Sequence, residues 1–124
     1  MKVEIMDTTL RDGEQTSGVA YTADEKLNLA QILLNEVKVD RIEIASARIS
    51  KGEQDAVKAI TSWASINNLL DKIEILGFVD GGKSLNWIKE AGGKVINLLT
   101  KGSTKHLEGQ LKKTPEEHIV DIKA

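Results

Sequence analysis

The chain has 124 residues, 40% of them hydrophobic, enough to bury the core of one ordinary domain and not of two. Seventeen basic against nineteen acidic side chains leave a formal charge of -2, so no nucleic acid partner and no anionic membrane surface is indicated, while small anionic ligands stay open. The absence of cysteine removes any disulfide framework or thiolate nucleophile and suits a reducing cytoplasm.

In chain order, the opening Met1-Lys-Val-Glu-Ile5 alternates polar and apolar residues without reaching a signal peptide's apolar run, and no later stretch is long enough to span a membrane. A soluble, cytoplasmic protein is expected. Val3 to Met6 read as a short first strand. From Thr22 the pattern changes to helical spacing, with Leu27, Ala30, Leu33, Leu34 and Val37 on one face, and Thr22-Ala-Asp-Glu25 has the form of a capping box. Arg41 to Ala45 predict a second strand, followed by a second capping box at Ser50-Lys-Gly-Glu53 and a helix turning Ala56, Val57, Ile60 and Ala64 inward. Lys72 to Val79 predict a third strand, and "LNWIKEAGG" a third helix stopped at Gly92 or Gly93. Lys94 to Leu99 predict a fourth strand. Thr114-Pro-Glu-Glu117 then starts a helix that runs to Ala124.

Strands alternating with helices imply βαβ crossovers and a parallel sheet. The open doubly wound sheet and the closed (β/α)8 barrel share this grammar, the barrel needing about 250 residues, so four βα units are half of one. The dinucleotide fingerprint G-x-G-x-x-G is missing after the first strand, where Arg11-Asp12-Gly13-Glu14-Gln15 stands instead. In either architecture this loop opens toward the end of the sheet where sites are built. A lone Arg-Asp-Gly reads best as a solvated ion pair on a tight turn. The longer pattern, Leu10-Arg11-Asp12-Gly13-x-Gln15 with Lys26 on the first helix, is too extended to be a chance match.

At these residues the sequence resembles the N-terminal signature of a family of barrel enzymes that make or break carbon bonds to acetyl-CoA: isopropylmalate, homocitrate and citramalate synthases and hydroxymethylglutaryl-CoA lyase. "DRIEIASARISKGE", "IEILGFVDGGKSLNWIK" and "INLLTKGSTKHLEGQLKKTPEEH" extend the similarity to the end of the chain and look most like citramalate synthases. The resemblance implies a (β/α)8 TIM barrel, of which residues 1–124 are the N-terminal half, the remainder of the barrel and any C-terminal domain lying outside this sequence. It implies condensation of acetyl-CoA with a 2-oxo acid, foremost pyruvate, in branched-chain amino-acid biosynthesis, and a homodimer for the full-length protein.

The same resemblance implies the site. Asp12 matches the family's carboxylate ligand for a divalent cation, Mg²⁺ or Mn²⁺ with Zn²⁺ as an alternative, which chelates the 2-oxo acid. Arg11 matches the arginine that stabilises charge developing on oxygen. Gln15 either hydrogen-bonds near the ligands or braces the loop. Glu43 is either a site carboxylate or the partner that holds Arg11. Leu76 and Leu99 match leucines that wall the pocket for pyruvate's methyl group, against the plain reading of leucines in a parallel strand as core. Of the remaining candidates, Lys101, Lys105, Lys112 and Lys113 could attract coenzyme A phosphates or form a solvated face. His106 and His118 read as solvated or capping groups, and Trp63 and Trp87 as packing. The family's His-x-His ligands and catalytic Glu find no counterpart here, so the 124 residues alone are expected to be inactive. A non-catalytic α/β binding module is the reading from a different class.

Overall fold

Four short segments pair side by side in the computed structural model, which describes residues 1–124. They are β1 (Met6–Asp7), β2 (Arg41–Ser46), β3 (Ile73–Phe78) and β4 (Val95–Leu99), all parallel and in the order β1-β2-β3-β4. A helix follows each strand: α1 (Ala23–Ile32), α2 (Lys51–Ile66), α3 (Lys83–Glu90) and α4 (Pro115–Lys123). Each new strand joins the same side of its predecessor. This one-way winding is that of a (β/α)8 barrel, whereas a doubly wound sheet reverses direction beside its first strand.

Local chemistry starts the helices where the sequence places them. Thr22 accepts the amide of Glu25 at 3.2 Å and Glu25 returns the bond to the Thr22 amide at 2.7 Å, and Thr114 and Glu117 repeat the exchange at 3.2 and 2.9 Å. At α2 the box is only half made: Ser50 accepts the Glu53 amide at 3.1 Å, but the Glu53 carboxylate turns to Lys26 instead. α3 ends at Gly92, whose φ of 79° is left-handed and whose missing Cβ would lie 2.8 Å from Thr61 Oγ1.

Two expectations need correction. The first strand is Met6–Asp7, not Val3 to Met6; the Ile5 amide is taken by the Asp40 carboxylate at 2.7 Å, which ends regular pairing there. Val37 is exposed rather than on the buried face of the first helix, because α1 runs into a wider π turn over Leu33–Val37 that rotates the chain out of the 3.6-residue phase.

Strand alternation separates the two faces of the sheet. Ile42, Ile44, Ile73 and Ile75 join Ala30, Val57, Ile60, Ala64 and Ile88 in the core between sheet and helices, each fully buried large side chain contributing about 1.5–3 kcal/mol relative to exposure. Trp63 and Trp87 pack against this cluster, as expected. The opposite face carries Glu43, Glu74, Leu76, Asn97 and Leu99, with Glu43 level with Glu74 and Leu76 with Asn97.

Candidate active site at the C-terminal strand ends

The loop after β1 is wound tightly: the amides of Arg11, Asp12 and Gly13 all point at the Thr8 carbonyl, at 3.1, 2.8 and 3.2 Å. Gly13 takes no left-handed backbone, and a Cβ there would meet Thr9 at an ordinary 3.6 Å. The Arg11 side chain reaches β2, where its Nε donates to Glu43 Oε1. Its Nη1 donates to Asp12 Oδ1 at 3.2 Å and to Gln15 Oε1 at 3.4 Å. Four of the six candidate residues are thus gathered on one guanidinium. Glu43 is fully buried, and its second oxygen accepts from Asn97 Nδ2 at 2.5 Å. Of the two roles open to Glu43, this geometry is that of a brace for Arg11.

A cleft of about 210 Å³ opens over this group, lined by Arg11, Glu14, Gln15, Ser46 and Glu53 among others. Asp12 stands at its side, 65% exposed, with Arg11 as its one side-chain partner. As a hard carboxylate oxygen it fits a divalent cation in kind. No group of three or more His, Asp or Glu residues in the chain could hold a metal ion on its own.

Leu76 and Leu99 are not drawn into this cleft. Leu76 is buried within β3. Leu99, partly exposed at the end of β4, lines a separate cavity of about 230 Å³ with Phe78, Thr100, Lys101, Lys113 and His118. His118 corrects the expectation of a solvated group: it is buried, with Nε2 bonded to Thr100 Oγ1 at 2.7 Å. His106 is exposed and bonds Ser103 Oγ at 2.9 Å through Nδ1. Lys105 and Lys112 are exposed, while Lys113 pairs with Asp121.

Two residues of the site, Asn97 and Asp80, escaped the sequence reading, and so did the burial of Lys26. Asn97 is a polar residue inside an apolar strand, the signal by which it could have been found. Lys26, already noted as part of the motif, is 1% exposed and pairs with Glu14 at 2.7 Å and with Glu53; it falls four and eight residues before Ala30 and Leu34, on the buried stripe of α1. Asp80, after β3, joins Arg48 at 2.9 Å and the hydroxyl and amide of Ser84 at 2.6 and 2.9 Å. Burial pushes the Asp80 carboxyl up, but the bonds from Ser84 and then Arg48 outweigh it and hold the group below its usual value of 3.8.

A one-way parallel sheet with its polar loop at the C-terminal strand ends defines part of a TIM barrel. The chain belongs to the HMGL-like family, whose profile matches residues 2–124. It is 40% identical over 117 residues to the (R)-citramalate synthase of Methanocaldococcus jannaschii, covering 94% of this chain and 23% of that protein. The 2-isopropylmalate synthase of the same organism is 42% identical over 122 residues, covering 98% and 22%. That of Polaromonas naphthalenivorans is 35% identical over 116 residues, covering 94% and 22%. The chain therefore spans less than a quarter of the length of these relatives. No helix is long and apolar enough to cross a membrane.

Proposed function

We propose that residues 1–124 form the N-terminal part of a catalytic barrel that condenses acetyl-CoA with a 2-oxo acid, with pyruvate as acceptor and citramalate as product. The observation that carries this reading is the Arg11 guanidinium, held by the buried Glu43 beside the exposed Asp12 at the C-terminal end of a parallel sheet. Arg11 is restrained before any ligand arrives, which is what makes a cation effective against charge appearing in a transition state. Its planar fork still has donors to offer an oxygen, since the bonds to Asp12 and Gln15 at 3.2 and 3.4 Å are long. A divalent cation held in part by Asp12 would polarise the acceptor's ketone. Gln15 bonds the same guanidinium as Asp12 and keeps the three side chains together.

The second reading, 2-isopropylmalate synthesis, is favoured by the 42% identity to an enzyme of that name. Coenzyme A release from acetyl-CoA by the full-length protein with Mg²⁺ or Mn²⁺ separates the two, using pyruvate or 2-oxoisovalerate as acceptor and an Arg11→Lys variant as control. Turnover with pyruvate that collapses in the variant supports citramalate synthesis. Preference for 2-oxoisovalerate moves the assignment to isopropylmalate, and no release with either acceptor refutes both and reopens the homocitrate, lyase and non-catalytic readings.

A further inference from the structure

Lys26 has no part in the chemistry proposed above, yet it is among the most deeply buried side chains of the protein, 1% exposed in the first turn of α1. A buried ammonium persists only where it is paired. Its two partners come from different elements: Glu14 at 2.7 Å, in the single 3₁₀ turn Gly13–Gln15, and Glu53 in the first turn of α2. Both carboxylates line the cleft that contains Arg11 and Gln15. Glu14 is held at its other oxygen too, by the Tyr21 amide at 3.3 Å. Glu53 gives up half of a capping box to reach the lysine, since its carboxylate bonds Lys26 and not the Ser50 amide. One ammonium therefore ties together the turn that follows Asp12, the helix after it and the start of the next helix.

We propose that Lys26 is a positioning residue: by neutralising Glu14 and Glu53 at once it fixes the turn that carries Arg11 and Asp12, and so sets the catalytic rate without touching substrate. This inference rests on the condensation reading for its kinetic consequence, but its structural consequence stands apart from it. Without the ammonium two partly buried carboxylates that shared one counter-charge are left without it and repel. Glu14 lies two residues beyond Asp12 and three beyond Arg11, so the separation is passed directly to both.

The test uses the full-length protein with Lys26→Met, which keeps an unbranched stem of similar length and removes only the charge, and with Lys26→Met/Glu53→Gln, which ends the repulsion and lets the new amide donate to Glu14. With acetyl-CoA and pyruvate or 2-oxoisovalerate, kcat of Lys26→Met is expected to fall on the order of 10- to 100-fold, the penalty of a misplaced reacting group, with the KM for acetyl-CoA little changed. The double variant regains most of the loss. Amide hydrogen exchange across Arg11–Thr16 is measured on the same proteins, with faster exchange expected in Lys26→Met and parental exchange in the double variant. A single variant with parental kcat and exchange overturns the proposal. A double variant no better than the single one also overturns it, because packing and not charge would then be at fault. If the parent itself releases no coenzyme A with either acceptor, condensation with these two acceptors has failed, and exchange alone decides for or against the clamp.

Discussion

Glu43→Gln tests the site at its buried end. The Glu43 side chain is inaccessible, and each oxygen has one donor: Arg11 Nε on Oε1 and Asn97 Nδ2 on Oε2. Gln keeps the volume but removes the charge, and its amide nitrogen must face one of those two donors. A hydrogen bond to a charged group is worth about 1.5–3 kcal/mol. Arg11 is shielded, with 21% of its side chain exposed, so little of this is lost to solvent screening. If the loosened guanidinium is felt wholly in the transition state, about 1.5–3 kcal/mol lowers kcat by about 10- to 160-fold. The assay is coenzyme A release by the full-length protein across a range of acetyl-CoA concentrations, with far-ultraviolet circular dichroism to confirm the fold. The expected result is a fall in kcat within that range and a KM close to the parent's. A folded variant with kcat within about twofold of the parent would show that Arg11 does not depend on Glu43, and the bracing argument would fail.

Asp80 predicts a pH effect with a definite sign. Its folded pKa lies below the ordinary 3.8, so its contribution is fully present at neutral pH and is lost as pH falls below about 3.8 toward the folded value; Asp80→Asn should therefore speed amide exchange at the start of α3 at pH 7, with the difference from the parent shrinking in acid. Gly93→Ala would place a Cβ 2.6 Å from Ile88 Cγ2 and 2.8 Å from Ile75 Cδ1, an overpacking that costs about 1–3 kcal/mol. Its urea midpoint should drop, and an unchanged midpoint would mean that the core yields freely there. Leu99→Ala enlarges the cavity at the end of β4 and should shift the ratio of kcat/KM toward 2-oxoisovalerate by about 1–3 kcal/mol per methylene accommodated. An unaltered ratio would remove Leu99 from acceptor selection.

The order of elements could be read from the sequence because α1, α2 and α4 carry capping residues at their starts and β2, β3 and β4 are short and rich in Ile, Val and Leu. The errors arise where a tertiary partner overrides a local pattern. Asp40 takes the Ile5 amide and shortens the first strand; the π turn after α1 exposes Val37; Lys26 draws Glu53 away from its cap. In the site, the grouping of Arg11, Asp12 and Gln15 follows from their closeness in sequence. Asn97 is 54 residues from Glu43 and could be brought to it only by the pairing of β2, β3 and β4. Its polar type in an apolar strand marks the residue, but nothing near it in sequence names Glu43 as its partner.

The pairing of β2 with β3 bears on how any Arg11 variant must be read. Glu43 and Glu74 stand side by side on adjacent strands, which lie about 4.8 Å apart, and like charges so placed are destabilising. Each is given its own arginine: Arg11 binds Glu43, and Arg41 binds Glu74 at 2.6 Å. Arg11 therefore holds the sheet together as well as facing the cleft, and Arg11→Ala would strip a buried carboxylate of its counter-charge, a change that costs about 3–5 kcal/mol for a buried pair. Loss of activity in that variant could not distinguish a damaged sheet from a missing catalytic group. Arg11→Lys can, because it keeps a positive charge for Glu43 and removes the planar fork that also reaches Asp12 and Gln15. The expected outcome is a urea midpoint near the parent's together with a kcat lower by about 10- to 100-fold, the effect of losing one preorganised donor. A lysine variant with full kcat would show that a point charge suffices and that the fork serves the sheet alone. One that is both inactive and unstable would show that a point charge does not satisfy Glu43, and the argument that lysine preserves the sheet would fail.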